Sequence, residues 1–173
     1  MAEGLTRCLA RRRVPLGLVV AIATLVLARP TWATWRVGLA IAAAGEVVRV
    51  WAAGHLEKSR EVTRSGPYRW TRHPLYVGSS IMALGIAIAS RSGVAAVLAA
   101  IYMTATLTAA VRTEEAFLRQ AFGETYDRYR ASRAEPMRRR FSLARAMRNR
   151  EYRAMAGLAA GFALLALKVI GYL

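Results

Sequence analysis

Gly66-Pro67-Tyr68-Arg69-Trp70-Thr71-Arg72-His73-Pro74-Leu75-Tyr76-Val77-Gly78 is a polar stretch, twice punctuated by proline, between long apolar runs. It holds one of two histidines and two of five prolines. Each proline restricts the residue before it to extended backbone, so the segment is an ordered loop and not a continuous helix. Polar backbone beside apolar runs is tolerated where it is buried in protein or lines a wet cavity. The stretch therefore marks a pocket, and the runs around it decide the fold.

Those runs are Val14 to Ala28, Leu75 to Ser90, Ser92 to Val111 and Ala154 to Leu167, with a fifth from Val37 to Val48, interrupted by Glu46 and continuing past Arg49 to Gly54. A helix crosses the hydrocarbon with roughly 20 apolar residues, fewer when Trp, Tyr, Lys or Arg flank it. Trp32, Trp35, Tyr152, Lys168 and Tyr172 supply such flanks. The fold expected is an all-α integral membrane protein with about five transmembrane helices in a single domain over residues 1–173. The last span covers about 154–173.

An apolar fraction of 55% coexists with a net charge of +16 only because the charges are segregated. With the amino terminus inside, residues 1–13, 55–74 and 112–153 share one side and hold 4, 5 and 12 basic residues, or 21 of the 26. Positive residues are retained on the cytoplasmic side. The charge is thus a topology signal and a contact to anionic lipid headgroups, not a nucleic-acid surface. Cys8, the single cysteine, has no internal disulfide partner and reads as an inert thiol. Arg29-Pro30-Thr31-Trp32 reads as a turn between spans rather than a signal-peptide cleavage site.

Glu46 and Arg49 fall on one helical face, where a structural ion pair is the simpler reading and a site wall the alternative. Small residues at Gly38, Ala42, Gly45, Gly78, Ala83 and Gly85, and the Gly157/Gly161 pair, suit close helix packing in lipid. After Val111 comes Arg112-Thr113-Glu114-Glu115, the only adjacent carboxylate pair, then an amphipathic interfacial helix to about Arg133 with Leu118, Phe122, Tyr126 and Tyr129 on one face. Such a helix lies along the interface and closes over the loop. Past Pro136, Arg138, Arg139, Arg140, Arg145, Arg148 and Arg150 read as lipid-surface contacts.

No metal-ligand spacing, GxxxxGK[ST], GxGxxG or GxSxG motif is present, so no metal site is expected. What remains is a cytoplasmic pocket of Arg, His, Tyr and two Glu, suited to a zwitterionic ligand.

Ser65-Gly66-Pro67-Tyr68, then Arg72-His73-Pro74-Leu75-Tyr76-Val77-Gly78, Arg112-Thr113-Glu114-Glu115 and Phe122-Gly123-Glu124-x-Tyr126-x-x-Tyr129 resemble, in order, the isoprenylcysteine carboxyl methyltransferases and related phospholipid methyltransferases. The likeness covers about residues 55–136. It implies a membrane methyltransferase that uses S-adenosylmethionine. It further implies a cofactor pocket lined by Val62, Thr63, Tyr68, His73, Pro74, Leu75 and Tyr76, with Glu114 as the contacting carboxylate. Arg112 is the nearest match to the family's substrate-holding basic residue.

Methyl transfer from a sulfonium needs alignment and exclusion of water, not a metal or covalent nucleophile. Arg72 suits the methionyl carboxylate, Glu114 or Glu115 its ammonium, and Tyr68 or Tyr126 the sulfonium. Arg112 and Glu115 are the candidate catalytic residues. The acceptor expected is a lipid or lipidated molecule, either a prenylcysteine-like carboxylate or a phospholipid amine. A sterol-type reductase using a nicotinamide cofactor, and a non-catalytic basic membrane protein binding anionic lipid, are the alternatives.

Overall fold

A computed structural model describes residues 2–135 and 137–171, with the side chains of 2–11 and 13 outside the description. The expectations for Cys8, Pro136 and Tyr172 fall outside the described residues. Six helices follow one another: α1 (Ala2–Leu27), α2 (Trp32–His55), α3 (Pro74–Ser90), α4 (Gly93–Arg130), α5 (Leu143–Arg148) and α6 (Tyr152–Ile170). A single 3₁₀ turn, Gly66–Arg69, lies in the loop between α2 and α3. Among the described residues there is no strand.

The boundaries follow local chemistry. Thr31 and Thr34 form a reciprocal capping box at the start of α2, where the Thr31 side chain accepts from the Thr34 N–H at 3.3 Å. Pro74 opens α3, where its missing N–H costs nothing. Ser92 caps α4 by accepting from the Ala95 N–H.

Three helices, α2, α4 and α6, are long and apolar enough to cross a membrane. Val14–Leu27 within α1 and the 17-residue α3 are apolar but shorter. At 1.5 Å per residue α3 reaches about 26 Å, so by itself it falls short of the roughly 30 Å hydrocarbon thickness.

α2 and α3 lie against each other along glycines. A Cβ at Gly45 would sit 2.7 Å from the Gly78 carbonyl oxygen, and one at Gly85 would sit 2.5 Å from the Gly38 oxygen and the Ala42 nitrogen. The backbones touch where the sequence offered small residues. Gly157 and Gly161 behave otherwise: among the described residues nothing lies within 4 Å of a Cβ at either, so this pair packs against none of them. α6 instead docks through Phe162 and Leu165 onto Ala28, Ala42 and Ala89, while Trp35 Nε1 donates to the Phe162 carbonyl at 2.9 Å. Lys168, expected as an interfacial flank, donates to the Leu25 and Val26 carbonyls at the end of α1.

Two expectations need correction. The span after Ser92 and the amphipathic helix are one element, because nothing in Arg112-Thr113-Glu114-Glu115 stops a helix; the break comes at Gly123, whose φ of 46° suits glycine. Arg139 and Arg145 are not lipid-surface contacts. Arg139 forks onto Glu61 at 2.6 and 2.8 Å and reaches the His55 carbonyl, and Arg145 joins Glu57 at 2.7 Å and the Gly54 carbonyl at 2.6 Å. Asn149 donates to the Ala53 and Leu56 carbonyls. The carbonyls left unpaired at the end of α2 are thereby satisfied by the segment around α5. The expected Glu46–Arg49 ion pair is present at 3.8 Å, and Arg49 also reaches Glu151 at 2.6 Å and Ser79 at 2.5 Å, so it ties α2 to α3 and to the start of α6.

Candidate functional site

The loop that leads to α3 is buried backbone held from both ends. Val62, Thr63, Ser65, Pro67 and Tyr68 are all buried. Thr63 Oγ1 accepts from the Glu57 N–H, and Ser65 Oγ lies 3.1 Å from His55 Nδ1. Gly66 has a φ of 56°, and a Cβ there would meet the His55 ring at 2.5 Å, so both conformation and space require glycine. His55, the other histidine, is therefore part of the loop's foundation.

From this base the chain enters α3 with His73 as its N-cap residue, but the imidazole makes no cap bond. It turns to α4 instead. His73 Nε2 lies 3.2 Å from Glu115 Oε1, and Nδ1 lies 3.6 Å from Glu114 Oε2. Adjacent residues on a helix project about 100° apart, which lets the two carboxylates take the two nitrogens of one ring. Arg72 Nη1 joins Glu115 Oε1 at 2.8 Å, and the Tyr76 hydroxyl lies beside Glu114. The Tyr76 ring stacks on His73 with centroids 5.5 Å apart and planes at 19°.

The electrostatics follow. Burial pushes the His73 imidazolium down, but the Glu114 and Glu115 carboxylates outweigh it and hold it above its ordinary value. Burial drives the Tyr68 phenol well up, and pushes Tyr129 up to about 12.

Past the Gly123 kink, the last turns of α4 fold over the loop. Tyr126 is fully buried with its hydroxyl beside Glu115 and Arg72, and Tyr129 donates to the Tyr68 carbonyl at 2.7 Å. The apolar face expected for this segment, Leu118, Phe122, Tyr126 and Tyr129, is the face that packs.

Between α3 and α4 a cavity of about 390 Å³ opens beside this cluster, lined by His73, Tyr76, Val77, Ser80, Leu107, Thr108, Val111 and Arg112. Of the residues singled out from sequence, His73, Tyr76 and Arg112 line it, Glu114 and Glu115 join His73 through ion pairs, and Arg72 joins Glu115. Val62, Thr63, Tyr68 and Pro74 are buried in the loop and at the start of α3, and Leu75 is half-buried; none of the five lines the cavity. Sequence reasoning missed Val77, Ser80, Leu107, Thr108 and Val111. Their signal was available as helical spacing from Tyr76 and Arg112, the three- and four-residue steps that place side chains on one face.

The profile of the phospholipid methyltransferase family matches residues 17–125. The cobalt-zinc-cadmium resistance protein CzcN of Cupriavidus metallidurans is 30% identical over 139 residues, covering 72% of this chain and 63% of that protein. The protein-S-isoprenylcysteine O-methyltransferase of Schizosaccharomyces pombe is 32% identical over 91 residues, 53% of this chain and 39% of that protein. A probable protein-S-isoprenylcysteine O-methyltransferase of Oryza sativa subsp. indica is 32% identical over 110 residues, 57% of this chain and 58% of that protein. The matches thus span between 39% and 63% of the length of these relatives. No solved structure matches the chain at a significant level. The family match runs through the loop, His73 and the Glu114–Glu115 pair: the chain belongs to the phospholipid methyltransferase family.

Proposed function

We propose that this chain is an integral membrane methyltransferase that takes its methyl group from S-adenosylmethionine and passes it to a lipidic acceptor, with the site on the cytoplasmic side. The observation that carries the proposal is the convergence of Arg72 and His73 from the loop with Glu114 and Glu115 from α4, beside a cavity of about 390 Å³.

The residues fit the donor. Glu114 is a partly open carboxylate for the ammonium. Arg72, 39% exposed and holding Glu115 through one nitrogen, keeps further donors for the carboxylate. S-Adenosylmethionine supplies, when bound, a methyl group already activated on its sulfonium. The chain's residues then have to orient and to exclude water. Tyr76 offers a ring face to the sulfonium, and the Tyr129–Tyr68 contact closes the loop from solvent.

Val77, Leu107 and Val111 give the cavity an apolar wall toward the bundle surface, which suits an acceptor whose tail stays in hydrocarbon. Arg112, exposed at its end, suits an anionic acceptor group such as a prenylcysteine-like carboxylate; a phospholipid amine is the other acceptor class. Glu115, paired with both Arg72 and His73, fixes the geometry of the cluster. Five apolar helices with the amino terminus inside put both arginine-rich segments on the cytoplasmic side.

The test is calorimetric titration of the detergent-purified protein with S-adenosylmethionine, S-adenosylhomocysteine and NADPH. The adenosyl compounds are expected to bind saturably. Glu114→Ala should weaken them about tenfold to a hundredfold, as loss of a charge-assisted bond worth roughly 1.5–3 kcal/mol implies. Binding of NADPH in their place, or unchanged affinity in Glu114→Ala, overturns the proposal. A labelled-methyl screen of lipid extracts then identifies the acceptor class.

A further inference from the structure

The last two turns of α4 are joined to the molecule differently from the rest of that helix. Gly123 breaks the helix with a φ of 46° and a ψ of −124°, and among the described residues nothing lies within 4 Å of a Cβ there. Ser132, just past the end of α4, takes a φ of 56°. Both values lie outside the right-handed helical region, so residues 124–130 form a short helical piece between two bends. Within it Arg128 meets Glu124, one turn away, at 3.2 Å.

Two side chains hold this piece down. Tyr126 is fully buried and Tyr129 half-buried, while Glu124, Thr125, Asp127, Arg128 and Arg130 are exposed. The Tyr129 hydroxyl donates to the Tyr68 carbonyl at 2.7 Å, and Tyr126 places its hydroxyl beside Arg72 and Glu115. A segment with so few buried contacts sits at the low end of local stability and opens before the helices beneath it.

What the piece covers decides what its opening is for. Val62, Thr63 and Tyr68 are buried in the loop and do not line the cleft at His73. Arg72 and Glu115, which tie the loop to α4, are also the groups beside which the Tyr126 hydroxyl rests. A ligand that touches both this ion-pair cluster and the loop has to displace the two tyrosines first. Binding and closure therefore share the same contacts.

We propose that residues 124–130 are a lid, hinged at Gly123 and latched by Tyr129 on Tyr68, that opens to admit the methyl donor and closes over it to exclude water. The identity of the ligand rests on the donor reading above, and the motion does not.

Pulsed electron–electron resonance on the full chain in a Cys8→Ser background tests the lid. Arg60→Cys with Thr125→Cys puts one nitroxide on the loop and one on the lid, and Arg60→Cys with Gln120→Cys puts the second ahead of the hinge; all three positions are exposed. The Thr125 pair is expected to show two distances, with the shorter one gaining when S-adenosylhomocysteine is added, and the Gln120 pair one distance that does not move. Tyr129→Phe removes the latch and should raise the ratio of long to short distances about twofold to tenfold, as loss of one hydrogen bond implies. Gly123→Ala, whose side chain disfavours this φ, should straighten the helix and raise the ratio as well. A single Thr125 distance that neither S-adenosylhomocysteine nor Tyr129→Phe changes overturns the lid, whether or not calorimetry finds the compound bound. A response to Tyr129→Phe with no calorimetric binding keeps the lid and overturns the donor as its ligand. Equal movement of the Gln120 pair overturns the hinge at Gly123.

Discussion

His73 sits between two carboxylates that arrive on one turn of one helix, and its protonated form is what that arrangement favours. A group whose pKa is raised on folding contributes stability that is fully present below its unfolded value and is lost as pH rises through the folded one. For His73 the window therefore opens near 6.5 and closes above it, at the raised value. Thermal melting of the detergent-solubilised protein should show midpoints that fall across this window, and His73→Asn should remove that limb while leaving lower pH little affected. An identical slope in the variant would mean that another group titrates. The sequence showed that His73 belongs to an unusual polar stretch, since proline and histidine next to an apolar run are visible as letters. It did not show that Glu114 and Glu115 would divide the two ring nitrogens between them, because that needs the distance across 42 residues that only packing sets.

At the scale of elements, two contacts between helices separate what small residues do here. Gly85→Leu should destabilise the bundle by about 3 kcal/mol or more, since the side chain meets the α2 backbone, which has no rotamer in which to move aside. Gly161→Leu should leave the melting midpoint close to that of wild type, since nothing lies within 4 Å. Comparable losses from both substitutions would show that α6 has a partner along this face. The end of α2 gives a second prediction. Arg145→Met removes the closest partner of Glu57 and one of the two donors to the Gly54 carbonyl, which keeps the Ser142 N–H, and should cost about 1.5–3 kcal/mol in denaturant unfolding. A loss under about 0.5 kcal/mol would return Arg145 to the ordinary surface arginines. The helices themselves were legible from apolar runs, Pro74 and the small-residue spacing. The continuity of α4 was not, because a change from apolar to charged composition marks the end of a greasy surface and not the end of a helix. Arg-Thr-Glu-Glu-Ala-Phe-Leu is good helix sequence, and the chain turns only at Gly123.

For the whole molecule, the bonds from Arg139 and Arg145 to Glu61 and Glu57 place the α2–α3 loop and the segment after α4 at the same end of the bundle. The Arg29 N–H to Ser90 carbonyl bond joins the other two turns at the opposite end. In a Cys8→Ser background, Arg60→Cys and Arg140→Cys should therefore react with a membrane-impermeant thiol reagent from one side, and Arg91→Cys from the other. In the proposed topology the Arg60 and Arg140 side is the cytoplasmic one. Labelling of Arg60→Cys and Arg91→Cys from the same face would rule out an odd number of crossings between them.

The sequence by itself determined the helical class, the segregation of charge that an apolar bundle in lipid demands, the small residues at which helices can approach, and the family. These are properties of composition, periodicity and motif, each readable within a short window of chain. Tertiary structure alone decided which arginines face lipid and which clamp the end of α2, which carboxylate meets which ring nitrogen, and that the Gly157–Gly161 face stays open. A guanidinium has the same letter whether water, a headgroup or a buried carbonyl accepts its hydrogen bonds, and only the fold brings one of them within reach.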